Sequence, residues 1–210
     1  MPWKDPYLKG LVTLPGGWVF AGLHYVIELP MLILDVIGFP ELYGYIQYLA
    51  KPNSRPLDAA EYQTAQYLFK NHLDLRQVRI DENARIGTHG GKYAYVSYYY
   101  INCSGQLALP VLMHELVHIL QFVQTGSPYI FRNLMAHTSK EKYNYGGLAK
   151  LTEVLDSPET FHQLNYEQRA DIVSDYYLIA SGYKPEWGSA DHRDASTYLK
   201  VIQMVIQANS

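Results

Sequence analysis

One stretch near the middle of the chain, residues 107–126, limits what the protein can fold into: L-A-L-P-V-L-M-H-E-L-V-H-I-L-Q-F-V-Q-T-G. Pro110 suits a first helical turn, where its missing N–H costs nothing, and Gly126 suits the position just past a helix end. Between them nothing breaks a helix. Val111, Leu112, Leu116, Val117, Ile119, Leu120, Phe122 and Val123 surround the two histidines of the stretch, so the helix is expected to be buried on most sides. His114 and His118 stand four residues apart and share one helix face, so two imidazole nitrogens can aim at one point. Glu115 lies about 100° around the helix from His114, beside that point rather than on it. H-E-x-x-H on a helix is the pattern of a zinc site in which the glutamate acts as general base on a zinc-bound water. The plainer alternative is a pair of core histidines satisfied by hydrogen bonds, with Glu115 at the surface.

A catalytic zinc site usually takes three protein ligands. A third histidine in the pattern H-E-x-x-H-x-x-G-x-x-H is absent, because Gln121 stands at the glycine position and Gln124 at the last histidine position. The other solution is a glutamate from a second helix. E-Q-R-A-D supplies Glu167 and, one turn later, Asp171, which share a helix face. Glu167 can reach the metal. Asp171 can accept a hydrogen bond from the far nitrogen of a ligating histidine and so fix its tautomer. Taken alone, the two acids also suit a solvated first turn, where negative charge is favoured. His24, His72, His89, His137, His162 and His192 are scattered and form no second cluster at ligand spacing.

At 210 residues the chain fits one domain, or one domain with an extension. A net charge of −3 and the lack of a basic patch argue against nucleic acid as a partner. The lone cysteine, Cys103, excludes an intrachain disulfide and reads as a small core residue. Residues 1–51 form an apolar N-terminal extension, and 52–210 form the main domain. From Gly10 to Ile27 there is no charged side chain, and these 18 residues just reach the length of a membrane span. Pro15, Gly16, Gly17, Gly22 and His24 lie within the stretch, and Glu28 and Asp35 follow. They favour a segment buried against the protein or a partner over membrane contact through residues 10–50. Pro30, Gly38 and Pro40 are expected to break the region into short pieces. A basic start and a small-residue cleavage site are both missing, so no cleavable signal peptide is expected.

Further along, 51–56 reads as a loop, 57–73 as a helix and 76–80 as a short strand. Residues 86–91 read as a turn, and 92–101, K-Y-A-Y-V-S-Y-Y-Y-I, as the strongest strand, free to pair with an extended peptide if it lies at a sheet edge. The region after Gly126, with Pro128, Tyr129, Arg132 and His137, reads as irregular. A short helix is expected over 148–155, a second important one over 164–182 and a last one over 194–207. Asn165 and Gln168 form a capping-box pattern at the start of the second, and Gly182 suits its end.

H-E-L-V-H followed by E-Q-R-A-D resembles the gluzincin zinc peptidases, whose signature is H-E-x-x-H…E-x-x-x-D. The wider texture, L-M-H-E-L-V-H-I-L-Q and N-Y-E-Q-R-A-D-I-V-S-D-Y-Y, is similar to the small metallopeptidase-like domains of bacterial secreted effectors and contractile injection systems. The resemblance covers roughly residues 52–182. It implies a zincin-like α+β fold, mainly helical with a small sheet, and a zinc-dependent hydrolase of peptide bonds. Its ligands would be His114, His118 and Glu167, with Asp171 orienting His114 and Glu115 as general base. The substrate would be a peptide, a protein or the peptide part of peptidoglycan. The chain would work in the bacterial cytoplasm or after export by a specialised secretion system. In similar peptidases a tyrosine, histidine or arginine stabilises the oxyanion, and Tyr145, Tyr166 and His162 are the candidates. The rival reading is a zinc-stabilised binding or structural module without turnover.

Overall fold

The computed structural model describes residues 17–88 and 93–208, with 17–25 as backbone only. The expected turn residues 89–91, Lys92 and residues 10–16 lie outside this set. The described chain is mainly helical with one small sheet. In order, the elements are α1 (Gly17–Val36), α2 (Phe39–Ala50), α3 (Ala59–Phe69), β1 (Arg79–Asp81), β2 (Tyr95–Ser97) and β3 (Tyr100–Asn102). They continue with α4 (Leu109–Thr125), α5 (Pro128–Thr138), α6 (Gly147–Asp156), α7 (Tyr166–Ala180) and α8 (Ala195–Gln207). Short 3-10 turns span Pro158–Gln163 and His192–Asp194.

Helix α4 forms where its apolar residues predict, starting with Pro110 in its first turn and stopped by Gly126 at φ +70°. It packs along α7, and α8 closes the far side of α7. Leu112, Leu116, Ile119 and Leu120 of α4, Ile172 and Ile179 of α7 and Tyr198 of α8 are fully buried in the shared core. Both halves of the Asn165/Gln168 capping box form, which fixes where α7 begins and therefore where Glu167 stands.

Three sequence expectations change. The 92–101 region is not one strand. β2 and β3 form an antiparallel hairpin pairing Val96 with Ile101, and β1 joins β3 in parallel, so the order is β1-β3-β2. The chain reverses at Tyr98, a non-glycine residue at φ +55°, whose ring is wedged between Phe122 and Tyr43 at centroid distances of 4.6 and 5.3 Å. That packing offsets the strain of the left-handed backbone. The region after Gly126 is the helix α5 rather than irregular chain, with Pro128 in its first turn. Pro30 sits inside α1 without ending it. The hydrogen bond a proline cannot donate would run one turn back to the carbonyl of Val26, an exposed residue on the solvent side of the helix.

The N-terminal hairpin α1–α2 docks on the body through its polar groups. Asp35 accepts from the Ser127 N–H at 2.9 Å and the Ser127 hydroxyl at 2.5 Å, giving the start of α5 a carboxylate from another helix. A side chain at Gly126 would collide with that carboxylate. Glu28, itself buried, holds Arg132 of α5 through two oxygens at 2.7 and 3.1 Å. On α2, Gln47 exchanges bonds with Ser97, and Lys51 meets Asn102 and Asp81. The outward face of the hairpin is apolar and exposed, from Val26, Leu29 and Ile33 to Ile46 and Leu49. No helix among the described residues is long and apolar enough to cross a membrane.

Because α5 is gripped by α1 at its start and its middle, loss of either grip should loosen it. Glu28→Ala would take the carboxylate away from the Arg132 guanidinium, a loss of about 3–5 kcal/mol for a buried pair. Urea unfolding of Glu28→Ala should show that loss, and a change below about 1 kcal/mol, the value of a surface pair, would contradict the docking.

Candidate metal centre

The site is built from the middle of α4 and the first turn of α7, two helices that face each other. The Nε2 atoms of His114 and His118 on α4 stand 3.0 Å apart, and Oε2 of Glu167 on α7 lies 3.3 Å from each. These three side chains form a group able to hold a metal ion. Ligands bound tetrahedrally at about 2.0–2.1 Å stand about 3.3–3.4 Å from one another, so the triangle matches one face of such a shell. Hydrogen bonding explains the group less well. Among the described residues, neither buried oxygen of Glu167 has a well-aligned hydrogen bond, although imidazole nitrogens approach to 3.0–3.3 Å. With poor alignment for hydrogen bonding, these short contacts act chiefly as attraction between charges.

Each imidazole is oriented from behind. The Nδ1 of His114 donates to Oδ1 of Asp171 at 2.8 Å. The Nδ1 of His118 lies 2.9 Å from Oε1 of Gln121, whose amide donates to the carbonyl of Tyr166 at 3.0 Å. With both Nδ1 atoms held from behind, the Nε2 atoms are the ones that face Glu167, free to bind a metal ion once deprotonated. Burial alone would lower the His114 pKa, but its bonds to Asp171 and Glu167 outweigh burial and push it up to about 10. Burial would raise the Glu167 carboxyl, but His118, with the bonds from His114 and His137, holds it far below the usual carboxylate range. Burial pushes Glu115 up. Glu115 is buried at 6 % exposure, and its Oε2 has no hydrogen-bond partner among the described residues.

These groups open into a cleft of about 150 Å³. Ala94, Tyr95 and Val96 form one wall, and Tyr129, Ile130, Asn133 and His137 of α5 form another, with Tyr143 beside them. His137 reaches Oε1 of Glu167 at 3.0 Å, and its Nδ1 lies 3.1 Å from the Tyr143 hydroxyl.

The structure thus brings together His114, Glu115, His118, Glu167 and Asp171. It does not bring the three expected oxyanion donors to the cleft. Tyr145 is a core residue, donating to Asp175 at 2.6 Å and meeting the Tyr198 hydroxyl at 2.8 Å. Tyr166 turns its hydroxyl toward Arg132 and stacks on Tyr129. His162 is exposed on the 3-10 turn, against Phe161. Besides the metal-site residues, the polar side chains lining the cleft are Tyr95, Tyr129, Asn133, His137 and Tyr143 instead. Spacing gave no signal for Tyr129, Asn133 and His137, because α5 was not legible as a helix. Gln121 could have been found, since it lies three residues after His118 on the same face. The chain matches no family model, no curated protein and no solved structure.

At neutral pH the metal-free site carries a proton on His114 that a metal ion must displace. The raised pKa gives a stability contribution that is complete below about 6.5 and is lost as pH rises through about 10. Metal uptake at pH 7 should therefore release about one proton from this group and weaken as the pH falls. Calorimetry in buffers of different ionisation enthalpy would measure it, and uptake without proton release would contradict the assigned charge state.

Proposed function

We propose that the chain is a zinc-dependent hydrolase of peptide bonds, a gluzincin-type metallopeptidase with a zincin-like fold. The observation that carries this reading is a buried carboxylate oxygen on Glu115, without a hydrogen-bond partner among the described residues, beside two imidazoles and a carboxylate that converge at metal-ligand separations. His114, His118 and Glu167 would hold the ion, and the two-nitrogen, one-oxygen donor set suits zinc. Zinc there would supply Lewis-acid polarisation of a water and of the scissile carbonyl.

The chain's own residues do the rest. Glu115, its pKa raised by burial, takes the proton of the attacking water and returns it to the leaving amine. Asp171 and Gln121 hold the two imidazoles in one tautomer. His137 and Tyr143, on the open side of Glu167, replace the earlier oxyanion candidates as donors within reach of the cleft. β2 is an edge strand, and Tyr95 and Val96 line the cleft, which supports an extended peptide lying along that edge.

Elemental analysis of the purified protein should find about one zinc per chain, with almost none in His118→Ala or Glu167→Ala. Asp171→Asn keeps a hydrogen-bond acceptor but loses its charge, and should weaken zinc binding about 10- to 100-fold. Glu115→Gln should keep the fold and the metal and lose cleavage of a broad peptide library. Retained zinc in Glu167→Ala would overturn the ligand set. A wild type that holds zinc yet cleaves no peptide and no purified sacculus would favour a binding module.

A further inference from the structure

Beyond Glu167 and Asp171, the inner face of α7 carries a third acid. Asp175 lies another turn along, is 1 % exposed and touches neither histidine. Its carboxylate grips the loop that follows α7, accepting from the Glu186 N–H at 2.6 Å and the Trp187 N–H at 3.2 Å. Tyr145 donates to the same carboxylate at 2.6 Å, with Tyr198 of α8 behind it. A close approach of backbones holds the loop from the other side. A side chain at Gly188 would come within 3.2 Å of the Gly147 Cα, and one at Gly147 within 3.1 Å of the Trp187 carbonyl. So anchored, the loop delivers the Trp187 indole to Asp171, where Nε1 donates to Oδ2 at 2.6 Å.

We propose that Trp187 is a positioning residue for the metal centre, acting on His114 through Asp171, with Asp175 as the anchor that sets its height. The inference rests on the zinc reading given above. Its chemistry follows from the donor inventory. Indole N–H can only donate and cannot bind a metal through its nitrogen, so it aligns the carboxylate without competing for the ion. With one oxygen of Asp171 taken by Trp187, the other is fixed on the Nδ1 of His114, and the Nε2 of His114 is left to face Glu167. The carboxylate accepts from two donors at once. An amide in its place has one acceptor oxygen and would set its NH₂ group against one of the two N–H donors.

The conflict built into an amide makes the test a change of sign. Zinc affinity would be measured against a competing chelator for wild type, Trp187→Phe, Asp171→Asn and the double variant. Trp187→Phe should bind zinc about tenfold more weakly than wild type, at the lower end of the effect of outer-layer changes. In the Asp171→Asn background the same substitution should leave affinity unchanged or raise it, because it removes a donor that faces the amide. An equal loss in both backgrounds would mean that the ring acts by packing alone and would overturn the proposal, as would an unchanged affinity in Trp187→Phe while wild type binds zinc. If wild type binds no zinc, the metal reading fails first and the inference falls with it. Should Trp187→Phe not fold, the Trp187 indole N–H resonance of the wild type replaces it. It should lie downfield and exchange slowly, lose both properties in Asp171→Asn, and overturn the proposal if it keeps them.

Discussion

The structure depends on placing an ionised carboxylate almost entirely out of water. Glu167 is 1 % exposed, and a charge taken out of water is costly unless compensated. The compensation comes from another helix, in the form of His114 and His118, and His137 adds a partner for the second oxygen. α4 and α7 must therefore pack in one register, because a shift of one turn would leave the charge buried alone. The apolar residues around the site make the helices pack, and the charged residues decide how.

The same logic repeats outward. Asp171 orients His114, and Asp175 orients the loop carrying Trp187. At the other wall, α5 brings Tyr129, Asn133 and His137 to the cleft, and α5 is held by Asp35 and Glu28 of α1. The N-terminal hairpin is thus coupled to the cleft through two carboxylates, although its outward face is exposed and apolar. Helices contributing no group to the candidate metal centre still set the geometry of its surroundings.

How much of this was legible in the sequence varies with the range of the interaction. H-E-L-V-H and E-Q-R-A-D were readable because helical periodicity is local, and the Asn165/Gln168 cap placed the start of α7 at Tyr166, within two residues of its expected place. Tyr98 was misread because strand propensity cannot see that Phe122 and Tyr43 close around its ring. α5 was missed because the carboxylate at its start comes from Asp35, 92 positions earlier, and not from a local cap. Tyr145 was taken for a cleft residue because its buried partners, Asp175 and Tyr198, lie 30 and 53 positions away.

The central claim is that two imidazoles and one carboxylate from α4 and α7 make a single metal shell. X-ray absorption at the zinc edge of the zinc-loaded protein tests it most directly. The account predicts a four-coordinate nitrogen and oxygen shell at about 2.0–2.1 Å, with the outer-shell signature of two imidazoles, falling to one in His118→Ala if residual metal is retained. A shell without imidazoles, or one that His118→Ala leaves unchanged, would contradict it.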